Sequence, residues 1–408
     1  MPTTTDRRIP TTVRSWFPGL EDTTFLDAAC VGLAPIQARD AISRFVAGTL
    51  RCDERDASAH HVAMDEQRAR VRGEVARLLS VAEDHVALVE STTHGLGIAA
   101  VTIPLRPGDE VLIPDTEFLQ VAIPWVKRAE RDGIVVSPVT SRDGALPLEA
   151  FHAALTPRTR VICCSTVQWS SGYRIDVAGL AELCRDRDIW LVADVIQEVG
   201  ALRVDLGERP ADFVVAGGHK WLNAPFGCGF LAVSDRVLAE LEPPTYGYLS
   251  LEEPDGGWPR YFGTPSITPF RDYRFPRTAR TFEIGGTSNY PGAVGLGASV
   301  GMINDLGPDV VEAHIRRLTD LLRDELRAAG ARLIGDPSPS ARSGITVFRW
   351  YDTPEADEGL LRRLLDERIL VSIRYTAGIG GLRVSTHFYN DEDDIRRLVD
   401  AIRRLGRS

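Results

Sequence analysis

Lysine is the scarcer basic residue in this sequence, and one of its two copies sits where an amine could do chemistry. Of 47 Lys and Arg residues only Lys127 and Lys220 are lysines, and the other 45 are arginines. An arginine supplies charge and hydrogen bonds, but its guanidinium stays protonated and cannot serve as a neutral nucleophile. A lysine can, once burial or a nearby cation lowers its pKa, and it then condenses with a carbonyl to form a Schiff base. Lys220 lies in the stretch ADFVVAGGHKWLNAPFGCGFLAVS, from Ala211 to Ser234. Two apolar runs of strand character, Phe213–Ala216 and Phe230–Val233, flank it. An ordinary turn lysine would look the same from this stretch alone, so residues upstream decide.

Asp194 closes the apolar run Ile189–Ala193, and the spacing 220 − 194 = 26 leaves room for one crossover and a further strand. A carboxylate in that place can keep a ring nitrogen protonated, the condition under which pyridoxal phosphate works as an electron sink. Gln168 follows the apolar run Val161–Val167 and could donate to a phenolic oxygen on the same ring. The segment STTHGLG, Ser91–Gly97, follows another strand and opens a helix. Its hydroxyls, Thr92 and Thr93 among them, and its unpaired backbone N–H groups suit a phosphate. A helix cap, a turn amide and a hydroxyl-rich helix start are the bland alternatives. All of these sites fall at strand ends, however, where open α/β sheets bind ligands.

The elements that must position these residues alternate along the chain. Apolar runs with strand character (HVALVES, DEVLIPD, IVVSPVT, RVICCSTVQW, IWLVADVI) are separated by amphipathic helical segments. That pattern predicts an α/β protein with a mostly parallel sheet covered by helices on both faces. Helices are expected from Pro35 towards Leu50 and over Ala63–Leu79, Leu119–Arg131, Ala178–Asp188, Ala293–Ile303 and Asp309–Ala329. Residues before about Ile9 read as disordered, and 1–20 as an N-terminal arm. A large domain is expected over 21–295 and a smaller α+β domain over 296–408, with its last helix begun by an Asn390/Asp391 cap. The aromatic, Pro- and Gly-rich stretch between Pro243 and Thr281 breaks the alternation, as either a wall of the substrate pocket or a subunit interface.

A net charge of −10 argues against nucleic acid or an anionic membrane as partner. No apolar run is long enough to span a bilayer and the first residues lack a signal-peptide core, so a cytoplasmic location is expected. The six cysteines are scattered with no zinc spacing, which points to free thiols and no metal. Dinucleotide binding by a nicotinamide-dependent dehydrogenase fits poorly. GLGIAA and GAVGLGASVG miss the fingerprint, and in GGHKWL the lysine lacks the Ser/Thr of a phosphate loop.

From FLDAACVG to LRVSTHFYN the chain resembles the fold-type I pyridoxal-phosphate enzymes of the class V aminotransferase and cysteine desulfurase group. The resemblance implies that Lys220 forms the Schiff base with pyridoxal 5′-phosphate, Asp194 pairs with the pyridinium nitrogen, and Gln168 bonds the phenolic oxygen. It implies phosphate contacts from Thr92, Thr93, the backbone of His94, and His219, with Thr287 of GGTSN reaching the cofactor of a neighbour in a homodimer. Arg383 matches the arginine that clamps a substrate α-carboxylate, a task its bidentate fork suits.

Three departures shape the expected reaction. Where the group usually stacks a histidine on the ring, this chain has Phe118, with Ile196 expected behind the ring. Gly217 stands where a serine is common, three residues before the lysine. The loop that carries the nucleophilic cysteine of desulfurases reads RYTAGIGGLR, Arg374–Arg383, without a cysteine. The resemblance then implies an amino-acid substrate and favours a carbon–sulfur lyase acting by β-elimination. Class V transamination, epimerisation, decarboxylation-coupled oxidative deamination and a catalytically silent partner are the alternatives.

Overall fold

The structure, a computed structural model, describes residues 8–335 and 338–406. The disorder expected before Ile9 falls, apart from Arg8, outside the described residues. Thirteen strands follow in chain order among them: β1 (Thr24–Phe25), β2 (Val86–Val89), β3 (Glu110–Pro114), β4 (Val135–Val139), β5 (Thr159–Ser165), β6 (Trp190–Asp194) and β7 (Phe213–Gly217). Then come β8 (Gly229–Val233), β9 (Arg332–Leu333), β10 (Ile345–Arg349), β11 (Ile369–Leu370), β12 (Ser372–Thr376) and β13 (Ile379–Ser385).

Seven strands form one sheet in the order β2-β8-β7-β6-β5-β3-β4. Neighbours from β7 through β4 run parallel, and only β8 is antiparallel to both its partners. The loop 218–228 between β7 and β8 is too short for the crossover that a parallel return requires. It must turn straight back, and that turn carries His219 and Lys220 out of the sheet end. Helices cover both faces, so β2, β3, β6, β7 and β8 are buried along their whole length, which is why they read as continuous apolar runs.

The C-terminal part carries an antiparallel sheet, β12-β13-β10-β9, packed under the helices Pro308–Ala329, Pro354–Asp366 and Glu392–Leu405. A capping box at Asp391 and Asp394 starts the last of these, so the cap is Asp391 rather than Asn390. β13 begins at Ile379, and its Gly380 and Gly381 take ladder positions opposite Tyr375 and Arg374. A glycine pair hides the start of a strand from a propensity reading.

Two expected boundaries move. The division at 295/296 would cut the helix Tyr290–Leu306, which packs as one rod into the large core through Ala293, Leu296, Val300 and Ile303. The strand β1, assigned from sequence to the large domain, instead pairs in parallel with β11, and Leu26 joins the C-terminal core. The expected arm is also not loose over its described part. Val13, Phe17 and Leu20 are buried, and Arg14 bonds Asp394 at 2.8 Å.

Candidate active site

A cavity of about 330 Å³ opens at the carboxyl ends of β5, β6 and β7. The fold brings together there, from distant sequence positions, Lys220, Asp194, Thr92, Thr93, Ile196, Phe118, His219 and Arg383. These are the residues that the strand-end rule and the resemblance singled out. Three others do not line it: His94, Gln168 and Thr287.

Lys220 leaves the sheet on the tight turn after β7. Its backbone is held from both sides. The Gly32 N–H donates to the His219 carbonyl at 2.8 Å, and the Asn223 N–H donates to the Lys220 carbonyl at 3.0 Å. A Cβ at Gly32 would lie 2.0 Å from the Lys220 carbonyl oxygen, so this close approach requires glycine. The side chain reaches into the cavity, and its Nζ lies 5.8 Å from the centre of the Phe118 ring. Among the described residues it has no hydrogen-bond partner.

Burial pulls the Lys220 pKa down, Arg383 and Arg374 push the same way, and Asp194 opposes them. The amine is therefore a better nucleophile near neutral pH than an exposed lysine. Having only two lysines makes this easy to test. Brief reductive methylation of the cofactor-free protein with formaldehyde is expected to modify Lys220 faster than exposed Lys127, which pairs with Glu130. Peptide mass spectrometry reads the ratio, and faster reaction at Lys127 would contradict the lowered pKa.

Asp194 ends β6 with its side chain buried. Its Oδ1 accepts the Ile196 N–H at 2.9 Å. Burial raises its pKa and the nearby Glu117 adds to that, while Lys220 pulls the other way. A buried carboxylate with no cationic hydrogen-bond partner is a costly group unless a cation comes to it. A protonated ring nitrogen is such a cation.

Opposite, the helix Thr92–Thr102 presents its N-terminus to the cavity. Ser91 caps it by accepting the His94 N–H at 3.1 Å, so that N–H is committed within the helix. The His94 ring turns away, its Nδ1 accepting the Glu90 N–H at 3.3 Å. Thr92 Oγ1 accepts the Gly217 N–H at 2.7 Å, which ties the helix to the end of β7. His219 stacks on Phe226 at 5.0 Å, and burial brings its pKa down to about 4. In the cofactor-free protein its ring is therefore uncharged near neutral pH.

Gln168 has its amide already committed. Its Nε2 donates to Glu117 Oε1 at 2.9 Å and to the Ser165 carbonyl at 3.1 Å, and its Oε1 accepts from Thr116 Oγ1 at 2.8 Å. Both amide hydrogens are used, so a bond to a phenolic oxygen would need one of them released. Glu117 is the residue that sequence reading missed. Its buried carboxylate also accepts the Ser165 N–H and Oγ, both at 2.6 Å, and the Phe118 N–H at 3.2 Å. Burial pushes its pKa upward while those donors pull it back. Its sequence signal was the one used for Asp194, a carboxylate just beyond an apolar run. Glu117→Gln would turn an amide towards these donors and leave at least one backbone N–H, that of Phe118 or of Ser165, without an acceptor. The expected loss is about 2–4 kcal/mol of stability, read as a lower urea midpoint of the cofactor-free protein; an unchanged midpoint would refute it.

Among the side chains in the cavity not anticipated as site residues are Trp169, Gln120, Gln197, Arg374 and Cys30. Trp169 meets Phe118 edge-on at 5.4 Å and donates its indole N–H to the Thr116 carbonyl, holding Phe118 over the lysine. Cys30 is exposed, and its sulfur lies 3.5 Å from Arg374 Nη2. The aromatic insertion contributes nothing to the cavity within one chain, and Thr287 is exposed. Arg383 donates to Asp27 at 3.1 Å and to the Trp169 carbonyl at 3.2 Å, while its buried Nε has no hydrogen-bond partner among the described residues.

The family model described as "Aminotransferase class-V" matches residues 24–398. The isopenicillin N epimerase of Streptomyces clavuligerus is 32% identical over 348 residues, covering 82% of this chain and 84% of that relative. Among solved structures, a cysteine desulfurase from Thermococcus onnurineus superposes with a TM-score of 0.85 at 21% identity, covering 100% of both chains. A cystine C–S lyase in complex with cysteine persulfide superposes with a TM-score of 0.83 at 23% identity, over 96% of this chain and 99% of that one.

Proposed function

The chain belongs to the class-V aminotransferase family of pyridoxal-phosphate enzymes, and on that premise we propose that it is a carbon–sulfur lyase acting on an S-substituted cysteine. The cavity fits the cofactor by its own chemistry. One amine, one buried carboxylate with no cationic hydrogen-bond partner among the described residues, and one hydroxyl-bearing helix N-terminus converge on it. Lys220 would hold the aldehyde carbon, Asp194 the ring nitrogen, and Thr92, Thr93 and His219 the phosphate. When bound, the cofactor supplies a cationic ring that accepts the electron pair of a bond broken at Cα.

The protein's own part is proton management and exclusion of water. Arg383, which lines the cavity, binds the substrate α-carboxylate, and Asp27 and the Trp169 carbonyl fix the plane of its guanidinium. Lys220, its pKa lowered, takes the Cα proton as general base. Phe118 and Trp169 cover the lysine and keep bulk water from it. The observation that carries the lyase reading is the β12–β13 turn, Thr376-Ala377-Gly378-Ile379, which brings no cysteine to the cavity. Without a thiol on that turn, a leaving sulfur departs with its substituent instead of passing to the protein there.

S-substituted cysteines given to the loaded enzyme should release pyruvate, ammonia and the free thiol. Alanine with a protein-bound persulfide, removed by Cys30→Ser, would instead assign a desulfurase that uses Cys30. The identity to an isopenicillin N epimerase favours a second reading, in which the Cα proton is removed and returned to the other face. Deuterium entering Cα from heavy water with no pyruvate would establish that one. A homodimer completes the proposal, because Thr287 is exposed and does not line the cavity of its own chain. Thr287→Ala should weaken cofactor binding, and a monomer with full cofactor affinity would refute the shared site.

A further inference from the structure

We propose that the cavity selects amino acids bearing a second acidic group, and that Arg374 binds that group; this rests on the reading that Arg383 takes the α-carboxylate. Three cations face the cavity: Lys220, Arg383 and Arg374. Lys220 has Asp194 as its opposing charge, and Arg383 has Asp27 at 3.1 Å. Arg374 has no carboxylate within ion-pair distance among the described residues. Its Nη1 donates to the adjacent Ile373 carbonyl at 2.8 Å, and its Nη2 approaches the Cys30 sulfur, a weak acceptor, at 3.5 Å. The cost of leaving it so is visible in its neighbours. Arg374 pushes the pKa values of both Lys220 and Arg383 downward. A half-buried cation that destabilises two others is placed for an anion that arrives with the ligand.

The ladder between β12 and β13 fixes where that anion must sit. Ser372 lies opposite Arg383, and Arg374 is two residues further along β12, opposite Gly381. Residues two apart share a face of the strand, so Arg374 and Arg383 are diagonal neighbours on one face, with backbones separated by about 7–8 Å. Gly381 has no side chain to stand between them. Two arginines at that spacing match a side chain whose acid lies several bonds from the α-carbon, rather than one as short as aspartate. A neutral side chain would satisfy Arg383 and leave Arg374 as it is.

The test compares S-carboxymethylcysteine with its near-isosteric amide, S-carbamoylmethylcysteine. Binding to the cofactor-loaded enzyme is followed by absorbance in the mixing phase before turnover. The acid is expected to bind at least ~10-fold tighter than the amide, as a charge-assisted contact would give, with a preference that weakens in salt. Arg374→Gln should bring the ratio close to unity, and Arg374→Lys should keep part of it. Equal binding of acid and amide by the native protein would overturn the inference while leaving an amino-acid site in place. A preference that survives Arg374→Gln would overturn the assignment to Arg374. If neither compound perturbs the spectrum, the amino-acid reading of the cavity itself falls.

Discussion

Lys220→Ala is expected to end turnover, with a loss of roughly ten-thousandfold or more, because one side chain is both the cofactor's covalent anchor and the base at Cα. The same variant should take up no borohydride-stable adduct. Lys220→Arg separates charge from nucleophilicity. It keeps the cation in the cavity but cannot form an imine, so it should be as inactive as the alanine variant. The cofactor-free protein should tolerate the loss well. Native Lys220 has its pKa lowered by burial, so in the pH window below its ordinary value the unfolded chain binds more protons than the folded one. Stability contributed by this group therefore rises with pH through that window. That slope should be missing in Lys220→Ala. An adduct that survives the substitution would remove the basis of the functional reading.

Asp194→Asn should separate activity from stability in the other direction. Removing one partner of a buried ion pair costs about 3–5 kcal/mol, or roughly a hundred- to several-thousandfold in rate when that pair forms at the reacting centre. A weaker hold on the cofactor is expected alongside. In the empty protein the sign reverses. Burial raises the Asp194 pKa, so above the ordinary carboxylate range the folded chain holds a proton that the unfolded chain has released. Its contribution to stability is complete at acid pH and is lost as pH rises through the raised value. Asparagine carries no such penalty, and at neutral pH the empty Asp194→Asn protein should melt no lower than the native one. A large drop in melting temperature together with unchanged kcat would show the carboxylate to be structural.

The reading from residues located Lys220, Asp194 and the helix start at Thr92, which meet in one cavity, because each lies at or just after the end of a fully buried strand. Burial on both faces makes such strands continuous apolar runs, so their ends are visible without a structure. Glu117 stands in a similar place, three residues beyond the buried strand β3, with a polar turn between. The glycine-containing start of β13 and the pairing of β1 with β11 were hidden for a different reason. Two-residue strands and glycine ladders carry almost no local preference, and distant partners create them.

Residue types and order alone therefore determined an α/β scaffold, an amine suited to a carbonyl and the chemistry around it. What only the folded chain decided is which charges meet. Asp27 and Arg383, far apart in sequence, form a buried pair, whereas Arg374 and Cys30 share the same cavity with no acid between them. Strand-end positions follow from local burial patterns, but the balance of charge in a cleft depends on side chains brought from several elements at once. That balance is set by tertiary packing and desolvation, which no spacing along the chain encodes.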